Sequence, residues 1–115
     1  MNDFLTKKSL SFAIRIVNLC KFLTEEKKEF VISKQILRSG TSIGANIRES
    51  KGAVSKADFV NKLAIAYKEA LETQYWLELL FKTEYINKEL FDSIFADCDE
   101  LSKLLFVSQK TAKKH

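Results

Sequence analysis

The stretch Arg38–Ser50, RSGTSIGANIRES, has the apolar spacing of a helix but is rich in residues that weaken helices. At about 100° per residue, one apolar stripe is formed by Ile36, Gly40, Ile43 and Ile47. Each glycine costs a helix about 1 kcal/mol relative to alanine, so a helix that keeps two of them needs a compensating gain. We predict that Gly40 and Gly44 let the backbone of another helix approach closely.

A second, polar stripe runs along the same helix, directly beside the apolar one. It consists of Ser39, Ser42, Asn46 and Glu49. Polar side chains at the border of a packed face can hydrogen-bond to a neighbouring helix and fix its position. We therefore predict a structural polar seam here. The alternative is that Ser39, Asn46 and Glu49 line a ligand site.

Periodicity and capping signals divide the 115-residue chain into four helices, at about residues 3–23, 33–50, 56–83 and 88–110. The predicted N-terminal caps are Ser33, Ser55 and Asn87, and Gly52 is placed as a C-terminal cap residue. The absence of proline and the presence of only three glycines argue against a hairpin-rich β fold. Because the connections are short, neighbouring helices should be antiparallel. The sequence thus predicts a single all-α domain over residues 1–115, an up-down-up-down antiparallel four-helix bundle.

Few residues in the chain are suited to catalysis or metal binding. The only histidine is His115, at the C-terminus, which leaves no His-based triad and no two-His metal site. No glycine-rich loop could cradle a phosphate. Glu69 and Glu72 are one helical turn apart, but near the outer face of an amphipathic helix a solvated or interfacial role is favoured over a catalytic one. We predict no enzymatic activity, no metal site and no cofactor.

The two cysteines and the N-terminus indicate a cytoplasmic protein. Cys20 and Cys98 lack paired spacing, so two reduced, buried thiols are favoured over a disulfide. The N-terminal residues 1–4 lack the basic start and apolar core of a signal peptide. No apolar run approaches the roughly 18 to 20 residues of a membrane span, so we expect no membrane partner.

The formal net charge of +4 is unevenly distributed along the chain. Residues 1–54 contain ten Lys and Arg against five Asp and Glu, whereas residues 55–115 contain nine against ten. Helices one and two carry the candidate nucleic-acid-binding residues, Lys8, Arg15, Lys34, Arg38 and Arg48. We predict that these cations form a phosphate-binding surface, with a merely solvated charged face as the alternative. Aromatic residues do not interleave with them, so base-specific reading of single strands is not expected there.

Helices one and three carry apolar residues on two sides, although a bundle helix needs one apolar stripe. The second set comprises Leu10, Ile14 and Val17 on helix one, and Ile65, Trp76 and Leu79 on helix three. A tryptophan with two aliphatic neighbours forms a patch rather than a scattered exposure. We predict that these six residues form a homo-oligomer interface. A different protein partner or a ligand groove are the alternatives.

Two segments, QILRSGTSIGANIRES and DFVNKLAIAYKEALETQYWLELL, resemble a bacterial family of four-helix-bundle proteins encoded in intervening sequences of large-subunit ribosomal RNA genes. That family has a Q-x-x-R-[SA]-x-x-S-I-x-A-N-I-x-E run before an acidic-aromatic pair and a long third helix. The run falls here on Gln35, Arg38, Ser39, Ser42, Ile43, Ala45, Asn46, Ile47 and Glu49, the pair is Asp58 and Phe59, and the likeness continues through Glu69, Glu72 and residues 75–78. Arg48 departs from the family pattern, in which an alanine is common at this position.

The resemblance implies a homo-pentamer of four-helix bundles. It also implies kinship with the accessory protein of diversity-generating retroelements, which binds nucleic acid and a reverse transcriptase. Together with the charges, it leads us to expect a non-enzymatic, homo-oligomeric bundle that binds the RNA or DNA backbone through helices one and two. The alternative is a structural or protein-docking oligomeric adaptor, with a reverse transcriptase or another protein as its partner and no nucleic-acid binding.

Overall fold

The computed structural model describes residues 3–114, which form four α-helices. They are α1 (Asp3–Glu25), α2 (Ile32–Ser50), α3 (Lys56–Lys82) and α4 (Lys88–Lys114). The all-α prediction is confirmed, and the described part of the chain contains no strand. The helix α4 extends four residues beyond its predicted end at residue 110, while His115 lies outside the described residues. The bundle measures 46 × 20 × 19 Å.

One buried stripe from each helix forms the core, as the periodicity predicted. The fully buried aliphatic and aromatic side chains include Leu5, Phe12, Ile16 and Leu23 of α1, Ile36, Ile43 and Ile47 of α2, Leu63, Leu77 and Leu80 of α3, and Ile94 and Leu101 of α4. Burial of each such side chain contributes about 1.5–3 kcal/mol of transfer free energy. These stripes hold the four helices around a single axis.

Contacts between the helices establish an antiparallel order. Each helix packs against the next along the chain, and α1 also lies against α4, so the four helices surround the core in sequence order. Lys8 of α1 pairs with Glu100 of α4, and Arg15, two turns later in α1, pairs with Asp97, which precedes Glu100. The chain directions of α1 and α4 are therefore opposite.

The helices α1 and α2 meet at the two glycines of the opening stretch. A Cβ atom added at Gly40 would lie 2.8 Å from Cγ1 and 2.9 Å from Cγ2 of Ile16. One added at Gly44 would lie 3.3 Å from the Ser9 hydroxyl and 3.5 Å from its backbone carbonyl oxygen. The prediction that these glycines permit close approach of another helix is therefore confirmed, and that helix is α1.

The start of α2 differs from its prediction, because its cap is Glu29 and not Ser33. The Glu29 carboxylate accepts hydrogen bonds from the backbone N–H groups of Val31, Ile32 and Ser33, at 2.7–3.1 Å. Burial raises the pKa of the Glu29 carboxyl, but these N–H donors outweigh it and lower the pKa below its ordinary value. Ser33 instead lies inside the helix and donates its hydroxyl to the Glu29 carbonyl.

The remaining caps follow the sequence signals more closely. The Ser55 side chain accepts the Asp58 N–H at 3.0 Å, and the Asn87 side chain accepts the Leu90 N–H at 2.9 Å. Gly52 does donate its N–H to the Glu49 carbonyl just after α2. Its backbone, however, is not in the left-handed region, so this position does not require glycine. The prediction of a special C-cap glycine at Gly52 is wrong in that respect.

Both cysteines are free and buried, as predicted. The Cys20 thiol donates to the Ser33 carbonyl, and the Cys98 thiol donates to the Ala70 carbonyl. Burial raises the pKa of Cys20 to about 11 and that of Cys98 to about 12. Since the thiolate is the reactive form, neither side chain has the environment of a nucleophile.

Replacement of Gly40 by alanine tests the close contact between α1 and α2. Gly40→Ala should lower the free energy of unfolding by about 1–3 kcal/mol through overpacking against the buried Ile16 side chain. This loss should occur although alanine favours a helix by about 1 kcal/mol relative to glycine. Gly52→Ala, in a position with ordinary contacts, should change stability by less than about 0.5 kcal/mol. A higher melting temperature for Gly40→Ala would contradict the contact.

Replacement of Glu29 by glutamine tests the helix cap. At neutral pH, Glu29→Gln should lose about 0.5–2 kcal/mol, the usual value of a cap. Because the pKa of Glu29 is lowered in the folded protein, its stabilisation is present above the unfolded-state pKa of about 4.3 and is lost as pH falls through the folded-state value. The stability curves of wild type and variant should therefore converge in acid. Glu26→Gln, at an exposed position nearby, is the matched control and should show no such convergence.

Candidate functional site

The polar stripe of α2 lies at its seam with α3, as predicted, but only part of it crosses between the helices. The Thr73 hydroxyl of α3 donates to the buried Ser39 hydroxyl at 2.9 Å. Lys62 of α3 donates to Glu49 at 3.0 Å. Ser42 and Asn46 instead donate to carbonyl groups of α2 itself. The seam is thus satisfied internally, which leaves no buried polar group of the stripe directed at a ligand.

The Arg38 guanidinium also belongs to this seam rather than to an open basic surface. It donates to the carboxylates of Glu69, at 3.1 Å, and Glu72. The Trp76 indole N–H donates to the same Glu72 carboxylate at 2.9 Å. The Trp76 hydrogen bond and the Arg38 guanidinium hold the pKa of Glu72 below its ordinary value, against the effect of desolvation. Glu69 and Glu72 are therefore an anchor for Arg38.

Two further residues predicted to bind nucleic acid are tied to α4. The Lys8 ammonium lies 2.6 Å from the Glu100 carboxylate. Arg15 donates to Asp97 at 2.8 Å and to the Ser93 hydroxyl at 3.0 Å. Lys34 and Arg48 are exposed and make no ion pair within residues 3–114. Of the five predicted cations, the structure therefore leaves Lys34 and Arg48 unneutralised.

Four exposed aliphatic side chains lie on the outer surface where α1 adjoins α2. Leu10, Ile14 and Val17 of α1 are 53%, 55% and 37% exposed, in agreement with their predicted outward placement. Leu37 of α2 is 38% exposed and lies level with Val17, because Ile16 packs on Gly40 in the antiparallel pair. We call these four residues the α1/α2 apolar face. Leu37 was not predicted, because it belongs to neither the apolar nor the polar stripe of its helix.

Cations flank the α1/α2 apolar face at both ends. The contacts of Ile16 with Gly40 and of Ser9 with Gly44 place Lys21 near the level of Lys34. The same register places Lys7 near the level of Arg48, and all four side chains are exposed. The face therefore combines an apolar centre with positive charge at either end.

The predicted outer patch of α3 is less exposed than its spacing indicated, and its role in an interface stays a prediction. Ile65, Trp76 and Leu79 are half-buried, and Trp76 packs against the core beside the seam with α2. The apolar residues of α3 that project furthest into solvent are Leu71 and Tyr75, at 42% and 56% exposure. The angular count from sequence located the side opposite the core stripe but not the neighbouring helix, which covers part of that side.

The described residues contain neither a metal-site cluster nor a membrane-spanning helix. No group of three or more His, Cys, Asp or Glu side chains between residues 3 and 114 is arranged to hold a metal ion. Within the same range, none of the helices is both long and apolar enough to cross a membrane. The candidate functional features described above are the α1/α2 apolar face and the exposed cations.

Comparison with known proteins identifies the family. A family model described as 23S rRNA-intervening sequence protein matches residues 4–107. A crystal structure of a protein of unknown function, from the S23 ribosomal protein family of Bacteroides thetaiotaomicron, is 64% identical and has a TM-score of 0.93. The match covers 94% of this chain and 96% of that one. No curated protein is similar enough to count as a relative. The chain belongs to the 23S rRNA-intervening sequence protein family.

Proposed function

We propose that the protein is a non-enzymatic, cytoplasmic homo-oligomer that assembles through the α1/α2 apolar face. The observation that carries this proposal is the cluster of four aliphatic side chains, each more than one-third exposed, on two adjacent helices. Single exposed aliphatic residues are ordinary, but a contiguous patch on a monomer surface favours a protein interface. Removal of this patch from water would supply the driving force for assembly.

The charges at the ends of the face favour a ring over a two-fold dimer. In a two-fold contact the face would meet itself, and its cationic ends around Lys7, Lys21, Lys34 and Arg48 would approach one another. A head-to-tail contact avoids this repulsion when the receiving surface carries carboxylates. The outer side of α3 offers such a surface, where Leu71 and Tyr75 adjoin the exposed Glu78. Head-to-tail contacts close into cyclic oligomers, and the family resemblance favours five copies.

Charge insertion into the α1/α2 apolar face tests the assembly. The double variant Leu10→Glu with Ile14→Glu should reduce the particle mass in light scattering, while helical circular dichroism and melting of the monomer persist, because both positions are about half exposed. Val54→Glu is the matched control, since Val54 is 92% exposed but lies in the connection between α2 and α3. Unchanged mass in the double variant, or a monomeric wild type at micromolar concentration, would contradict the proposal.

A second candidate function is binding of the RNA or DNA backbone by the exposed cations of α1 and α2. It is favoured by Lys34 and Arg48, which project from α2 without an ion pair in the described range. Repetition of these residues around an oligomer would multiply weak phosphate contacts. Because Lys8, Arg15 and Arg38 are held by carboxylates, they would contribute less than the sequence predicted.

Reversal of the two unneutralised charges tests this second candidate. Lys34→Glu with Arg48→Glu should weaken binding of single strands and duplexes by the same factor, because phosphate contacts do not depend on base pairing. The slope of log affinity against log salt should also fall, by about 0.7 to 0.9 for each phosphate that the variant no longer neutralises. Because Lys34 and Arg48 also flank the α1/α2 apolar face, particle mass is measured on the same samples, and affinities are compared between species of equal mass. Absence of wild-type binding at about 50 mM salt would remove this candidate and leave the adaptor role.

A further inference from the structure

A groove on the opposite side of the bundle lies between the first turns of α3 and the last turns of α4. Its volume is about 600 Å³. The small aliphatic side chains of Ala57, Val60 and Ala64 form most of its lining, and polar or charged side chains complete it: Lys56, Asn61, Gln109 and Lys113. The Lys56 ammonium donates to the Lys113 carbonyl at 3.2 Å, which ties the two helix ends together. The groove therefore combines a mainly apolar lining with two cations.

Two aromatic rings continue the groove along the helices. Tyr67, one turn after Ala64, and Phe106 of α4 lie with their ring centres 5.8 Å apart at an angle of 43°. Phe106 is 43% exposed. The Lys110 ammonium lies 4.6 Å from the centre of the Phe106 ring, so a cation and an exposed aromatic surface adjoin each other.

The charge around this groove is strongly unbalanced. Residues 56–68 and 101–114 contain seven lysines and one acidic residue, Asp58. Asp58 is engaged at the start of α3, where its carboxylate accepts the Val54 N–H. Among the seven lysines, Lys62 and Lys103 are paired with carboxylates, whereas Lys110 and Lys113 have no such pair within residues 3–114. This surface attracts polyanions.

We propose that the α3/α4 groove binds single-stranded nucleic acid. Lys56, Lys110 and Lys113 contact phosphates, and unpaired bases stack on Phe106 once the Lys110 ammonium has moved from the ring to a phosphate. Base stacking on aromatic side chains beside a basic track is the physical basis of sequence-tolerant single-strand binding, and it is unavailable to a duplex, whose base faces are already covered. The proposal rests on the nucleic-acid candidate above, but it names a different surface and a strand preference.

A second copy of the chain is a poorer occupant of this groove. The α1/α2 apolar face carries four cations at its ends, among them Lys21 and Lys34, and these would oppose Lys110 and Lys113. The exposed carboxylate of α3 that suits that face, Glu78, lies further along the helix. The groove is therefore matched in charge to an anionic polymer rather than to the assembly face.

The test compares the affinity for a mixed-sequence RNA single strand of about 16 nucleotides with that for the matching duplex, by fluorescence anisotropy on the intact oligomer. The wild type should prefer the single strand. Lys110→Glu with Lys113→Glu should lower the single-strand affinity to that for the duplex and so remove the preference. Lys34→Glu with Arg48→Glu makes the same change in net charge and should retain the preference, because it lowers both affinities equally.

Removal of the ring separates stacking from charge. Phe106→Ala should weaken single-strand binding by about 5- to 150-fold and leave duplex binding unchanged, since no charge is altered. Phe106→Tyr should restore the single-strand affinity, as a tyrosine ring also stacks. Particle mass and melting temperature verify that each variant is folded and assembled.

Several results would overturn the inference. If the wild type binds the duplex as tightly as the single strand, or more tightly, the groove proposal fails, whereas the phosphate-binding candidate of α1 and α2 stands. An unchanged single-strand affinity in Phe106→Ala would also contradict the groove proposal, as would loss of the strand preference in the Lys34→Glu with Arg48→Glu variant. If the wild type binds neither probe, the inference and the nucleic-acid candidate both fail, and the assembly proposal remains under its own test.

Discussion

The rest of the bundle depends on how closely α1 approaches α2. At Gly40 the Ile16 side chain occupies the space that a Cβ atom would need. A Cβ atom at Gly44 would be in van der Waals contact with the Ser9 backbone. The helix α2 accepts two residues with poor helix propensity because the contact lets its apolar stripe and that of α1 pack without a gap. The same contact sets the register that brings Val17 level with Leu37 on the outside. The inner constraint therefore determines the outer apolar face.

Polar contacts then fix the positions of the other helices along the bundle axis. Hydrophobic contact is not directional, whereas a buried hydroxyl pair such as Thr73 with Ser39 is satisfied in one relative position of the two helices. Exposed ion pairs contribute only about 0–1 kcal/mol each, so their main effect is on register rather than on stability. Arg15 and Arg38 form such ion pairs with α4 and α3 of their own chain. The number of cations on one helix therefore overstates the charge that a partner can bind, because some of them are neutralised by neighbouring helices.

The fold was predictable to a large extent because its signals are local. Helix periodicity identified the core, and Ser55 and Asn87 were correctly predicted as caps from residues within a single turn. The Glu29 cap was missed because it depends on the connection before α2, where Lys28 has a φ of 54° and the chain turns sharply. A glutamate that lies before the helix and caps the N–H groups two to four residues after it is not found by a rule that looks for Ser, Thr, Asp or Asn at the helix start.

The candidate site was less predictable because it depends on pairs of helices. The ion pairs of Lys8 and Arg38 join residues distant in sequence, and no single-helix pattern reports their partners. Trp76 was placed on an outer face because an angular count shows the direction of a side chain, not the width of the neighbour beside it. The Tyr67 and Phe106 pair likewise arises only when α3 and α4 are brought together.

Assembly and single-strand binding in the α3/α4 groove would use opposite sides of the same bundle. Since the helices surround the core in sequence order, the outer surfaces of α1 and α2 face away from those of α3 and α4. Along α3 the chemistry also changes, from lysines in its first half to Glu78 beside Tyr75 in its second half. A neighbour's α1/α2 apolar face can meet the part of α3 around Tyr75 and Glu78, while the basic groove at the other end stays open. An assembled ring would then repeat the groove once per copy, so that weak single-strand contacts act together.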